Sequence, residues 1–278
     1  MLRNALIKRC PSRLYLKYKF KKYMGKKLDL TNPKTFNEKL QWLKLYDRKD
    51  IYTTMVDKYE VKKYIADIIG EEYIIPTLGI NNTWEEINFD KLPNQFVIKC
   101  THDSGGLAIC KNKKNFNVDK ARKKVNESLK NNYFYFGREW PYKNVKPRII
   151  IEKYMGDTLN DYKIFCFNGL PKYILVCSNR NGDYKNTDFY DVNWELMSFT
   201  RANHENSLYG ISKPTNLEEM LDIAKKLSKD IPFVRIDLYD IKNKIYFGEI
   251  TFYPSAGFEG FSPSDWDRKL GEMIKLPK

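Results

Sequence analysis

The chain has 278 residues, 42% hydrophobic and 30% charged, with a formal net charge of +14. That is too apolar and aromatic for a disordered chain, and no apolar run approaches the ~18–20 residues a bilayer-spanning helix needs. The length suits one large domain or two intimate lobes around a sizeable core.

The charge rests on 38 Lys and 11 Arg. AT-rich codon usage and selection for an anionic partner both account for that, and composition alone does not separate them. Five cysteines (Cys10, Cys100, Cys110, Cys166, Cys177) form no C-x-x-C pair, and His102 and His204 are the only histidines. A zinc site is therefore not expected, and a reducing cytosol is. The N-terminus has a basic flank without a continuous apolar stretch, so no secretory signal is expected. Leu2, Leu6, Leu14, Leu16 and Phe20 outline a weak amphipathic helix interrupted by Pro11. It could lie on a membrane, but docking onto the protein's own body is the expectation.

Residues 31–70 read as helical. TNPKTFNEKLQWLKLY opens with a capping box, Thr35 to Glu38, and DIYTTMVDKYEVKKYIADII forms a second helix ending at Gly70. From Tyr73 the texture turns β-rich, with YIIPTLGI, then QFVIKC ending at Lys99 and Cys100, then THDSGG and the strand LAIC. Residues 115–132 are helical and lysine-rich, and RIIIEKY is a strand. YKIFCFNG and LPKYILVCSNR make a hairpin around Asn168–Gly169. The helix NLEEMLDIAKKLSK precedes a second hairpin, FVRIDLYDIKNKIYFGEITFYP, turning near Lys242–Asn243. DWDRKLGEMIKL closes the chain as a helix. The order predicts an α+β protein with antiparallel sheets: a helical region over 1–72, a first lobe over 73–147 and a second over 148–278.

Asp237 and Glu249 stand twelve residues apart on the two strands of the second hairpin, where facing positions share one side of the sheet. Carboxylates inside apolar strands are costly unless paired or coordinated, and close pairs suit hard divalent cations. Two surface acids paired with lysines are the plain alternative. In QFVIKCTHDSGG, Lys99 ends a strand before Gly105–Gly106, an arrangement that can hold phosphate, although no Walker A or G-x-G-x-x-G pattern is present. His102 fits phosphate binding or loop capping. The strand into Glu152–Lys153–Tyr154 can offer main-chain groups to an adenine edge. Lys163 starts the next strand, with a solvated strand end as its alternative. The aromatic run from Tyr133 to Tyr142 suits core packing or stacking on sugars.

In this order, these segments resemble the ATP-grasp superfamily. From TNPKTFNEKLQWLKLYDR through GEITFYPSAGFEGF the chain is similar to its teichuronopeptide-biosynthesis (TupA-like) branch, a branch often labelled glycosyltransferase. The resemblance implies an ATP-grasp fold, two α+β lobes holding nucleotide between them after a short helical region. It implies ATP and Mg²⁺ as cofactors. Lys58, Lys99, Ser104, Gly105, Gly106, Glu152, Lys153, Tyr154 and Lys163 would contact the nucleotide. Asp237, Glu249 and Thr251 would hold Mg²⁺, with Thr251 standing where relatives have Asn. Arg235 and Lys99 would stabilise the reacting phosphates and the acyl phosphate. The implied activity is a carboxylate–amine ligase in capsular or cell-surface polysaccharide biosynthesis, joining an amine or amino acid to a uronic or similar acid. The alternatives are a glycosyltransferase, whose D-x-D motif would be Asp265–Trp266–Asp267, and a kinase of a sugar or polymer hydroxyl. Expected partners are the acid and amine substrates and an anionic polysaccharide or lipid-linked precursor, with no nucleic acid. The expected location is cytoplasmic, with peripheral contact at the inner membrane face left open.

Overall fold

The computed structural model describes residues 8–157, 160–178, 186–207 and 210–277. Leu2 and Leu6 lie outside the described residues, as do Asn179 and Arg180. Helices α1 (Ser12–Met24), α2 (Phe36–Tyr46), α3 (Ile51–Val56) and α4 (Glu60–Ile69) come first. Strands β1 (Thr77–Asn81), β2 (Phe96–Cys100) and β3 (Leu107–Cys110) follow, then α5 (Val118–Leu129) and α6 (Phe134–Gly137). Next are β4 (Ile149–Lys153), β5 (Asn160–Phe167), β6 (Leu170–Ser178), β7 (Asn186–Asp191) and β8 (Thr200–Arg201). Helix α7 (Leu217–Leu227), strands β9 (Phe233–Ile241), β10 (Lys244–Thr251) and β11 (Phe261–Ser262), and helix α8 (Trp266–Met273) complete the order. Among the described residues, no helix is long and apolar enough to cross a membrane.

The chain divides into two compact units, one of residues 49–159 and one of residues 1–48 with 160–278. In the first, four antiparallel strands run in the order β1-β4-β2-β3. Alternation along β2 buries Phe96, Ile98 and Cys100 against Ile149 and Ile151 of β4 and Ala121 and Val125 of α5. Val97 and Lys99 take the opposite face. Because β4 fills the middle of this sheet, residues 148–157 belong with it, and the boundary expected at 147/148 falls near 159/160 instead. The one at 72/73 moves to 48/49. The single helix expected over 50–69 is two, because the Asp57 carboxylate accepts from the N–H groups of Tyr59 (2.8 Å) and Glu60 (3.3 Å). That Asx turn ends α3 and starts α4.

In the other unit, five antiparallel strands run β10-β9-β5-β6-β7. Its two hairpins turn at Asn168–Gly169 and Lys242–Asn243 as expected, each pair at positive φ (50° and 81°, 54° and 60°). That is the backbone a tight right-twisted hairpin requires. Val234, Ile236 and Leu238 of β9 are buried on the side that α7 covers. On the opposite side, Phe165, Phe167 and Phe233 gather around Phe36 of α2, which meets Phe233 edge-on at 4.7 Å between centroids. The capping box forms as read, with Glu38 N donating to Thr35 Oγ1 and Thr35 N to Glu38 Oε2. Helix α1 lays Tyr15, Leu16 and Phe20 on Leu28, Leu30, Trp42 and Leu45, so this helix docks on the protein's own body.

Candidate functional site

The Phe36 cluster covers only part of that sheet face. Beyond it, Lys163 of β5 pairs in register with Asp237 of β9, and Asp237 with Glu249 of β10, so three adjoining strands align three charges. A bulge makes this possible. Phe247 pairs with Leu238 and Glu249 with Asp237, leaving Gly248 as the extra residue. Without it, Glu249 would share the buried face of Phe247; with it, Glu249 turns to the face of Asp237. A Cβ at Gly248 would lie 2.8 Å from the Asp237 carbonyl oxygen, so the close approach excludes a side chain.

Arg235 organises the group. Its Nε donates to Asp237 Oδ1 at 2.6 Å, and its Nη2 to Asp237 Oδ2 at 2.7 Å, Glu249 Oε1 at 3.2 Å and Thr251 Oγ1 at 3.1 Å. Thr251 Oγ1 in turn donates to Glu249 Oε1 at 2.9 Å. Lys163 Nζ reaches Asp237 Oδ2 at 2.8 Å and Asp161 Oδ2 at 2.7 Å, so it is no solvated strand end. Burial alone would raise the Asp237 pKa, but Arg235 and Lys163 outweigh it and hold the carboxyl below its ordinary value. Burial opposes the charges of Lys163 and Arg235, and Asp237 overcomes it, raising both. Two cations face three carboxylates (Asp161, Asp237, Glu249), which leaves one negative charge in excess. Among the described residues no cluster of three or more metal-ligating His, Cys, Asp and Glu side chains occurs. Asp237, Glu249 and the Thr251 hydroxyl are the oxygen donors gathered around Arg235, a set that could hold Mg²⁺, which commonly takes one or two carboxylates beside water and phosphate oxygens.

In the unit of residues 49–159, Lys99 and Glu152 share the β2–β4 face and pair at 2.6 Å. Lys62 of α4 pairs with the other oxygen of Glu152 at 2.5 Å and donates to the Ile75 carbonyl at 2.6 Å. Burial would raise Glu152, yet Lys99 and Lys62 together lower it. Lys62 is itself lowered, by burial first and Lys99 second, against the pull of Glu152. Lys99, 28% exposed, is the more accessible of the two lysines. Lys58 donates its ammonium to the Asp103 carbonyl and its backbone N–H to Thr101 O, fixing it beside the Gly-rich loop. Asp103 binds the Ser128 hydroxyl and the Gly106 N–H, and His102 Nε2 meets Ser128 O at 3.1 Å. His102 is therefore a buried loop anchor.

Gly106 has its N–H occupied, and a Cβ there would collide with Cys100 and Ser128. Ser104 and Gly105 are the exposed residues of the loop, and Ser104 Oγ donates to Tyr133 Oη at 3.0 Å. Lys153 ends β4 with an exposed side chain, and its N–H bonds Pro76 O. Tyr154 donates to Asp157 at 2.6 Å. The aromatic run is mixed: Phe134 is buried and Arg138 lies under the Phe134 and Tyr135 rings, while Phe136 is exposed.

The D-x-D reading is corrected. Asp267 is buried and accepts from Asn37 N (3.0 Å) and Nδ2 (2.9 Å), while Asp265 pairs with Lys269 at 2.7 Å on its own helix. Asp267 fastens α8 to the start of α2, and Asp265 only braces its own helix. Sequence reading missed Lys62, hidden among the lysines of α4. It also missed the bulge, although a glycine between Phe247 and Glu249 in an otherwise regular strand was the signal.

The family described as TupA-like ATPgrasp matches residues 38–275, and the chain belongs to it. This agrees with the observed α+β fold and places the chain in an ATP-grasp family, as the resemblance implied. No curated protein matches the sequence. Similar solved structures include a D-alanine–D-alanine ligase from Helicobacter pylori (19% identity, 86% of this chain and 69% of that one, TM-score 0.44). A second is the ATP complex of a D-alanine–D-alanine ligase from Bacillus anthracis (18%, 80% and 63%, TM-score 0.44). A third is N5-carboxyaminoimidazole synthetase from Staphylococcus aureus (13%, 71% and 44%, TM-score 0.40). This chain thus spans between 44% and 69% of their lengths.

Proposed function

We propose that the protein is an ATP- and Mg²⁺-dependent carboxylate–amine ligase. The observation that carries this is the Asp237–Glu249 pair, turned to one face by the Gly248 bulge and bound by Arg235. Asp237, Glu249 and Thr251 would hold Mg²⁺, which when bound would supply charge neutralisation at phosphate oxygens. Arg235 and Lys163 are fixed cations, held in place by Asp237 and ready to stabilise the charge that builds on a transferring phosphoryl group and its acyl phosphate product. Lys99 and Lys62 share a single carboxylate, so one positive charge remains for a phosphate. Chemistry of this kind needs positioning and charge more than a strong base. An amine attacking the acyl phosphate gives the amide and inorganic phosphate. The resemblance to the teichuronopeptide-biosynthesis branch supports a uronic acid or similar acid as the carboxylate, in cell-surface polysaccharide biosynthesis.

The test is calorimetric titration with a non-hydrolysable ATP analogue, with and without Mg²⁺, beside Glu249→Gln. Binding that needs Mg²⁺ and is weakened tenfold or more in the variant is the expected result. Equal binding by both proteins, or binding of a nucleotide sugar in place of the ATP analogue, overturns the reading.

A further inference from the structure

The positive charge of the chain is not spread evenly. Residues 1–28 contain ten Lys and Arg (Arg3, Lys8, Arg9, Arg13, Lys17, Lys19, Lys21, Lys22, Lys26, Lys27) and no acid. Removing those ten from the 49 cations leaves 39 against 35 acids, a nearly balanced remainder. Codon bias acts along the whole gene and does not concentrate charge in one tenth of it, so the excess has a local cause. The first acid, Asp29, turns its carboxylate to the N–H groups of Thr31 and Asn32.

Helix α1 shows where that charge goes. Its Tyr15, Leu16 and Phe20 side is spent on the protein's own core. At about 100° per residue, Leu14 points away from that side, flanked by Lys17 and Lys21 on one hand and Tyr18 and Lys22 on the other. Leu14 is 60% and Tyr18 64% exposed, and Arg13, Lys17, Lys21 and Lys22 are all exposed. Among the described residues, no ion pair involves Lys17, Lys21 or Lys22. Leu14 and Tyr18 thus stand at the centre of a cationic face. That pattern is complementary to a surface that is anionic outside and hydrocarbon beneath: the cations meet headgroups, tyrosine suits the interface and leucine enters it.

We infer that the outward face of α1 docks the protein on an anionic phospholipid bilayer, with Leu14 and Tyr18 inserted at the headgroup boundary and Arg13, Lys17, Lys21 and Lys22 bound to lipid phosphates. The inference stands apart from the ligase reading, since it uses no residue of the nucleotide or metal constellation. A soluble anionic polymer would satisfy the lysines alone, and that difference sets the test.

The experiment is flotation of the full chain with vesicles of phosphatidylcholine, or of phosphatidylcholine with about one third phosphatidylglycerol, at 0.1 M salt. Three proteins are compared: wild type, Lys17→Gln/Lys21→Gln/Lys22→Gln and Leu14→Ser/Tyr18→Ser. All the altered side chains are exposed, and unchanged melting temperatures confirm folding. Wild type is expected to float with the phosphatidylglycerol vesicles only. Each variant is expected to lose about tenfold or more of that partitioning. Wild type failing to float overturns the inference, as does flotation that neither variant weakens. Loss in the lysine variant with none in Leu14→Ser/Tyr18→Ser overturns the lipid assignment and leaves a soluble polyanion as the partner.

Discussion

Glu152 is buried between two lysines that look alike on paper and do different work. Lys62 is nearly enclosed and also holds the Ile75 carbonyl, so it is part of how α4 meets the sheet. Lys99 stands more open and has only Glu152 as its ion-pair partner among the described residues. Lys62→Met therefore strips a buried carboxylate of one neutralising charge and leaves a carbonyl without its donor. A loss of about 2 kcal/mol is expected, read as a fall in the denaturation midpoint at unchanged m-value. Lys99→Met should cost less than about 1 kcal/mol but weaken binding of an ATP analogue roughly tenfold. Titration of the two variants side by side checks the division of labour, and the reverse pattern refutes it. Lys99 was legible in the sequence because it closes an apolar strand ahead of a Gly-Gly turn. Lys62 was not, because on a helix rich in lysine only tertiary structure says which one turns inward.

Elements, too, depend on single glycines where backbones meet. At Gly271 a Cβ would stand 2.6 Å from the Phe36 N and closer still to the Lys34 carbonyl, so α8 touches the start of α2 directly. Gly271→Ala should separate the two helices and cost about 2–3 kcal/mol, seen as a lowered melting temperature. Gly248→Val acts on a different property. Its side chain meets the Asp237 carbonyl and the Tyr239 ring, and the cheapest relief is to lose the bulge, which returns Glu249 to the face of Phe247. The expected outcome is loss of Mg²⁺-dependent nucleotide binding, beyond what the accompanying destabilisation explains. Retained Mg²⁺ dependence in a folded Gly248→Val protein would count against the bulge as the device that builds the site. Most elements were legible: both hairpin turns, the capping box and the closing helix follow from short-range chemistry. The membership of β4 was not, because RIIIEKY has strand character on any sheet, and only long-range pairing with β1 and β2 assigns it. The break between α3 and α4 was written in Asp57, whose carboxylate competes with the helix for its own backbone.

For the molecule as a whole, the buried ionisable groups set a window of pH in which the fold is most stable. Asp237 and Glu152 sit below their ordinary values of 3.8 and 4.5, so the stability they contribute is complete above those values and disappears as pH falls through the folded ones. Protonating Asp237 also leaves Arg235 and Lys163 facing each other without it, which sharpens the acid limb. On the alkaline side, burial pushes the Cys100 thiol up to about 11 and the Cys166 thiol up to about 12, from 9.0. A raised folded value gives stability that is complete below the unfolded pKa and lost as pH rises through the folded one, so both thiols draw stability down above about pH 9. Burial likewise pushes Tyr162 up to about 12 from 10.0. Lys62 runs the other way. Its folded value is depressed, so folding gains as pH rises past it, which blunts the loss from the thiols and Tyr162. Melting temperatures should therefore be level between about pH 5 and 9 and fall on both sides. Each proton taken up or released differently by the two states adds a slope of about 1.4 kcal/mol per pH unit. Cys166→Ala separates the contributions, since it removes a titrating thiol without touching a charge: its alkaline limb should be shallower than wild type while its acid limb is unchanged. A wild-type protein equally stable at pH 7 and pH 11 would show that these thiols are not buried as the fold has them.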